Sequence, residues 1–431
     1  MPCADAGRAR SFLFLQGPLS PLYRRLGARV LAAGHRVRRV NFCVGDWLHW
    51  HGEGTELYRG SLADWPHRVA ALLEEAGVTD LVLHGDTRPY HRPAVLAAEA
   101  RGVRVHVTEL GVLRPGFMTL ERGGLNVLSR FPDDPDAIRR LAAGARDRDL
   151  SPRHPGSFAL EAWQDVSYHI PNLLLSWLTP RYRRHTPQSP LVDYALWLRR
   201  LIGASARKRQ AEQLQQTILT DEAPFFVLPL QVEGDYQVIA QSPFASVVDG
   251  LETIVASFVR AAPADARLVV KTHPLDNGTV DWRRAVARLA GADASAGRIV
   301  LLDGGRLPDL FTRARGVATI TSTAGLEALR AGVPVKTLAP TLFDLPGLTH
   351  QGDLDGFWRA PTTPDPALVT DLLHALLATS QLRGSIHNRA GLEEAVETIS
   401  ARLLDPDALP GEAIVEPPPR LARARALGVP L

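Results

Sequence analysis

Cysteine is scarce in this chain, with only Cys3 and Cys43 in 431 residues. Two thiols build neither a disulfide framework nor a cysteine-based zinc site, and such usage points to the reducing cytosol. Long hydrophobic runs are missing as well. The strongest, residues 11–15 and 173–178, fall far below the roughly 18 apolar residues that a membrane span requires. The first ten residues lack the apolar stretch of a signal peptide, so a soluble or peripheral protein is expected. Charge of one sign is also lacking: 49 Lys and Arg against 46 Asp and Glu leave a net +3. The chain is therefore no wholly basic nucleic-acid binder, and no nucleic-acid partner is expected. What is present, 45% hydrophobic and 22% charged residues, is ordinary globular composition, in a length that suits two domains of about 200 residues each.

Strand-like and helical patterns alternate through residues 12–42 and 80–108, and again through 224–230, 266–271, 298–302, 316–321 and 333–338, with helical patterns between them. Such alternation predicts parallel sheets covered by helices on both faces. Residues 1–150 are read as an N-terminal Rossmann-like domain and 216–365 as a C-terminal Rossmann-like domain. Residues 151–215 are read as a helical connector, and 366–431 as helices followed by a Pro-rich tail expected to fray from 409 onward. Within the connector, nine basic residues between Arg153 and Gln210 outnumber three acidic ones, a net +6 interleaved with apolar patches. That composition suits contact with anionic lipid headgroups. Neither domain has the spaced glycines of a dinucleotide site. The expected fold class is α/β and GT-B-like: two doubly wound domains facing across a cleft, with ligand groups at the carboxyl ends of the strands.

Several motifs fall at such ends. Lys271-Thr-His-Pro274 follows a predicted strand; Pro274 stops the strand, His273 can donate to a phosphate oxygen and Lys271 adds positive charge. Thr319-Ile-Thr-Ser-Thr-Ala-Gly-Leu-Glu327 runs from strand into helix. Ser322 and Thr323 are placed to cap it and form an anion site, Gly325 to allow close approach, and Glu327 to accept from a ribose hydroxyl. Gln231-Val-Glu-Gly-Asp235 offers Glu233 and Asp235 as carboxylates able to act as nucleophile or base at an anomeric carbon. In the first domain Asp86 and Arg88 follow one predicted strand, and Glu109, Arg114 and Glu121 follow another. The arginines suit a carboxylate or phosphate, the acids sugar hydroxyls or proton transfer.

The ordered series Phe14-Leu-Gln-Gly-Pro18, Gly45-Asp-Trp47, Gly85-Asp-Thr-Arg-Pro-Tyr-His91, Glu109-x-Gly-x-x-Arg-Pro115, Thr119-Leu-Glu121, Gln231-x-Glu-Gly-Asp235, His273-Pro274, Ser322-Thr323 and Leu345-Pro-Gly-Leu-Thr-His-Gln351 resembles the capsule polysaccharide export and biosynthesis family typified by KpsS and LipB. The resemblance implies a retaining β-Kdo transferase, peripheral on the cytoplasmic face of the inner membrane. Such an enzyme moves Kdo from CMP-β-Kdo to lyso-phosphatidylglycerol, an anionic lipid, to start the linker of a capsule. It implies a CMP site at Lys271, His273, Pro274, Ser322, Thr323, Gly325 and Glu327, and catalysis by Asp235, Glu233 and His273. Acceptor contacts are implied at Gln16, Gly17, Asp86, Arg88, Glu109, Arg114 and Glu121. A KpsC-like transferase and a capsule ABC transporter are the implied protein partners. CMP-Kdo enters as co-substrate; no cofactor or metal is expected, because the donor has one phosphate and no Asp-x-Asp motif follows a strand at the expected cleft. The alternatives are a non-catalytic component that binds lipid-linked polysaccharide for export, a transferase using another nucleotide sugar, and a nucleotide-sugar epimerase, which needs no lipid acceptor.

Overall fold

The βα alternation folds into two separate sheets. The computed structural model describes residues 9–185, 188–291, 297–405 and 408–431, so that Cys3 lies outside the described residues. One compact unit comprises the residues up to Pro132, Leu141–His185 and Leu373–Pro418; the other comprises Asp133–Arg140, Thr186–Leu372 and Pro419–Leu431.

The first unit begins with β1 (Ser11–Phe14), β2 (Arg36–Asn41), β3 (Thr55–Leu57), β4 (Asp80–His84), β5 (Arg104–Leu110) and β6 (Phe117–Arg122). β1 is buried on both faces, and side chains alternate along a strand. Phe12 and Phe14 pack with Leu22, Leu26 and Val30 of the helix Leu22–Ala32, while Leu13 and Leu15 pack with Trp65, Val69 and Leu72 of the helix Trp65–Glu75. β1 pairs in parallel with β2 on one side and β4 on the other, and β4 with β5. The order therefore reverses between β1 and β4, which is where an open parallel sheet leaves a crevice.

The second unit holds β7 (Phe225–Pro229), β8 (Arg267–Lys271), β9 (Ile299–Leu302), β10 (Gly316–Thr319) and β11 (Val335–Thr337), in the order β11-β10-β7-β8-β9 and all parallel. Its reversal point lies between β7 and β10. The chain then returns to the first unit, where β12 (Gln381–Arg383) pairs antiparallel with β6, itself antiparallel to β5. The helix Arg389–Leu404 completes that core with Val396, Ile399 and Leu403.

Two expectations differ from this arrangement. The connector is shared out, its helix Phe158–Leu174 belonging to the first unit and Pro190–Leu201 and Ala204–Thr220 to the second. The tail is packed instead of frayed. Val415 N donates to Arg130 O at 2.8 Å, Arg420 is buried with its Nε on Thr341 O at 2.9 Å, and the helix Leu421–Ala426 buries Ala424. Carbonyls of preceding loops supply acceptors that composition does not reveal. No helix among the described residues is long and apolar enough to cross a membrane.

Candidate functional site

In the second unit the strand order β10-β7-β8 sets three candidate loops side by side at their carboxyl ends. The Ser322-Thr323 loop and the His273-Pro274 loop are two sheet positions apart, with the Gln231–Asp235 loop between them. With about 4.8 Å between strands, the three loops span roughly 10 Å, close to the reach of a nucleotide phosphate and its sugar.

Asp235 occupies the middle of this row. Its Oδ1 accepts Gln237 N at 2.9 Å, capping the helix Tyr236–Gln241, and its Oδ2 accepts Gln231 Nε2 at 3.1 Å. Gln231 in turn reaches across the reversal point: its Nε2 donates to Thr321 Oγ1 at 3.2 Å, and its Oε1 accepts Thr321 N at 3.2 Å. Glu233 is used differently. Its carboxylate accepts from the backbone of Val247 and Val248 at the start of the helix Val247–Ala261, while burial raises its pKa. The structure thus ties Asp235 to the strand ends and Glu233 to a helix terminus.

On the other flank Leu275 N donates to His273 Nδ1 at 3.0 Å, which puts the proton of the neutral imidazole on Nε2. Pro274 is exposed. Lys271 is only 3% exposed, and its Nζ donates to Thr272 O at 3.3 Å. Burial lowers its pKa, and Asp303 opposes that shift. Its ammonium therefore sits beneath the turn. Ser322 Oγ accepts Ala324 N at 3.2 Å at the start of the seven-residue helix Ala324–Arg330, so the cap falls on Ser322; Thr323 makes no side-chain cap bond. Glu327 is exposed. Gly325 does not open room for a ligand: a Cβ there would stand 3.0 Å from the Phe343 ring, so its smallness serves packing.

The first unit gathers a second cluster at the ends of β4 and β5. His84 Nδ1 lies 3.0 Å from Thr108 Oγ1 and Nε2 3.4 Å from Glu109 Oε1. Gly85 has φ +72°, a backbone conformation that favours glycine, and the turn it makes leaves Arg88 Nε and Glu109 Oε2 3.4 Å and 3.5 Å from the place of a Cβ. Burial pushes His84 down to about 4, against the pull of Glu109. For Glu109 burial acts upward and is the largest influence, yet His84, Arg88 and the Leu110 N–H together hold it below its ordinary value. Glu109 is thus kept as a carboxylate beside a neutral imidazole and a guanidinium, a set able to bind an anion or take a proton from a hydroxyl. Arg114, exposed, donates from Nε to Gly111 O at 2.8 Å, and its charge bears on both Glu109 and His387.

Three other candidates of this unit stand elsewhere. Asp86 is fully buried and accepts Leu125 N at 2.9 Å, and burial lifts it to about 6; it fastens a loop. Glu121 lies on β6 opposite Val107, away from the strand ends, and accepts from Ser129 Oγ. Gly17 is filled from outside by Tyr23, whose ring is 2.8 Å from the place of a Cβ.

Gln16 instead heads a network that sequence reasoning missed. Its Nε2 donates to Tyr168 Oη at 2.7 Å and Tyr182 Oη at 3.1 Å, and Tyr168 Oη donates to Asp46 Oδ1 at 2.9 Å. Asp46 also accepts Phe42 N at 3.0 Å and lies 3.8 Å from Arg39. Burial raises the pKa of Tyr168 and lowers that of Arg39. The Gly45-Asp-Trp47 motif was a signal for Asp46; nothing in the sequence marks Tyr168, 122 residues away.

Two α/β units, each with a Rossmann-like, mainly parallel sheet and candidate groups at its strand ends, define the class. The chain belongs to the capsule polysaccharide biosynthesis protein family, whose model matches residues 79–387. It is similar to the capsule polysaccharide export protein KpsS of Escherichia coli, 30% identical over 86% of this chain and 96% of that protein. It is also similar to the capsule polysaccharide modification protein LipB of Neisseria meningitidis serogroup B, 28% identical over 88% of this chain and 92% of that one. Among solved structures it matches the β-Kdo 2,7 transferase KpsC of Thermosulfurimonas dismutans with a TM-score of 0.43 and 17% identity, over 92% of this chain and 100% of that chain.

Proposed function

We propose that this protein is a retaining glycosyltransferase of capsule assembly, which transfers Kdo from CMP-β-Kdo to a lyso-phosphatidylglycerol acceptor. Membership of the capsule family supports the process. The observation that carries the chemistry is Asp235, oriented by Gln231 between the His273 turn and the Ser322 loop.

In this reading Asp235 attacks the anomeric carbon of Kdo. The bond from that carbon to the phosphate oxygen breaks and CMP departs, its growing negative charge met by the Nε2–H of His273 and the hydroxyls of Ser322 and Thr323. The acceptor hydroxyl then attacks the same carbon, the bond to Asp235 breaks, and the hydroxyl proton passes to water. Two inversions give retention. In the first unit Arg88 and Arg114 supply charge suited to an acceptor phosphate. The protein works, in this reading, at the cytoplasmic face of the inner membrane, beside a KpsC-like transferase and a capsule ABC transporter.

The test is transfer from CMP-Kdo, generated in place, to a fluorescent lyso-phosphatidylglycerol analogue, followed by mass. Wild type adds one Kdo while Asp235→Ala and His273→Ala do not. A folded wild type that binds the lipid without modifying it would shift the assignment to a carrier in capsule export, and product from a different nucleotide sugar would revise the donor.

A further inference from the structure

The helix Phe158–Leu174 is built inside out. Its polar side chains face inward: Gln164 Nε2 donates to Ile386 O at 2.9 Å, Tyr168 joins the Gln16 and Asp46 network, and Asn172 Oδ1 accepts Gly45 N at 2.7 Å. These positions recur at the helical spacing, which turns the remaining face outward. That outer face is apolar. Phe158 is 62% exposed, Trp163 69%, Val166 41%, Leu173 39% and Leu174 69%, and Trp177 just beyond the helix is 67% exposed. Soluble proteins rarely leave so many large apolar side chains on one face without a use for them.

What covers this face is indicated by its rim. Its carboxylate, Asp165, lies 3.5 Å from His169 Nε2, whereas exposed Arg181 and Arg183 follow shortly after Trp177 and give the rim positive charge. Indole rings with an apolar body and one N–H, next to arginines, are the side chains that settle where acyl chains meet phosphate headgroups. The second unit, taken by itself, repeats the composition: its helix Pro190–Leu201 exposes Leu191, Val192 and Leu198, Ile202 follows at 77% exposed, and Arg199, Lys208 and Arg209 are exposed nearby.

We propose that the outward face of the helix Phe158–Leu174, with the turn through Trp177, docks in the surface of an anionic phospholipid bilayer, lying in its plane while Arg181 and Arg183 meet the headgroup phosphates. Seventeen residues make a rod of about 25 Å that rests on the membrane without crossing it. The inference stands on exposure and amphipathicity and does not depend on the transferase reading.

The experiment is flotation of the purified full chain with vesicles of phosphatidylglycerol and phosphatidylethanolamine, and with vesicles of phosphatidylcholine alone, with no sugar donor present. Wild type floats with the anionic vesicles. The triple variant Trp163→Ser, Leu174→Ser, Trp177→Ser, confirmed as folded by its thermal melt, loses about tenfold or more in vesicle affinity. Arg181→Gln with Arg183→Gln removes the preference for anionic vesicles. A wild type that stays with the soluble fraction, or a triple variant that floats equally well, overturns the proposal. So does a wild type that sediments as a dimer in the absence of lipid and that the triple variant splits into monomers, since the face then belongs to a second copy.

Discussion

Gln231 and Thr321, 90 residues apart, exchange hydrogen bonds in both directions, amide to hydroxyl at 3.2 Å and backbone N–H to amide oxygen at 3.2 Å. One side chain thereby bridges the gap where the loops after β7 and β10 diverge, and the same amide nitrogen holds Asp235 at 3.1 Å. The position of the proposed nucleophile is set by a contact that spans the reversal of the sheet.

Asp235→Asn separates the two duties of this residue. Asparagine caps a helix about as well as aspartate, so the melting temperature should move by no more than a few degrees, about 2 °C. It cannot serve as the carboxylate, so transfer should fall at least about a thousandfold. A variant that keeps near-wild-type turnover in the transfer assay removes Asp235 from the chemistry.

Gly45→Ala tests how the helix Phe158–Leu174 is held. The added Cβ would stand 2.7 Å from the Tyr168 ring and 2.8 Å from Asn172 Nδ2. The helix must shift, which should destabilise the unit by about 1–3 kcal/mol. Urea unfolding reads the loss, and amide exchange should rise first over residues 158–174.

Asp80→Asn tests the opposite end of the same sheet. Asp80 is fully buried and accepts from Arg10 Nε at 2.9 Å, Arg104 Nε at 2.9 Å and His106 Nε2 at 2.8 Å. These partners hold its carboxyl well below the usual range, against the upward and larger effect of burial. Removing the charge leaves the arginines uncompensated, so a loss of about 3–5 kcal/mol is expected in urea unfolding.

His84 gives the stability of the first unit a defined slope with pH. Its folded pKa, about 4, lies below the ordinary 6.5, so the unfolded chain takes up the proton first as the pH falls. Its contribution is full above 6.5, declines as the pH falls from there, and is exhausted below about 4. The loss amounts to about 3 kcal/mol at most. His84→Gln should flatten the urea midpoint against pH across that window, and an unchanged slope would show that the imidazole is not held neutral.

Much of the site could be read from sequence because ligand groups in parallel sheets follow strand ends, and strands such as 224–230 and 266–271 announce themselves by apolar runs closed by Pro or Gly. That logic placed Asp235 and His273 after strand ends of the second unit, and Arg88 and Glu109 at strand ends of the first. It fails where the answer depends on which strands are neighbours, as with β7 between β10 and β8. It fails too where one residue type serves two ends: Glu233 and Asp86 are acids after strands, as Asp235 is, but their partners are backbone N–H groups of distant segments. Glu121 looked like loop because β6 runs antiparallel, outside the βα rhythm. The Tyr168 network was hidden because an inward polar face on an otherwise apolar helix carries no local signature.

β12 has a consequence for how the molecule comes into being. Its three residues, Gln381–Arg383, lie beyond the last strand of the second unit, and they cover the edge of β6. On the ribosome, all five strands of the later sheet have therefore been made before the earlier sheet receives its final strand. The half of the protein that is synthesised first is the half whose sheet is completed last, and until then β6 presents an open edge to any other nascent chain nearby.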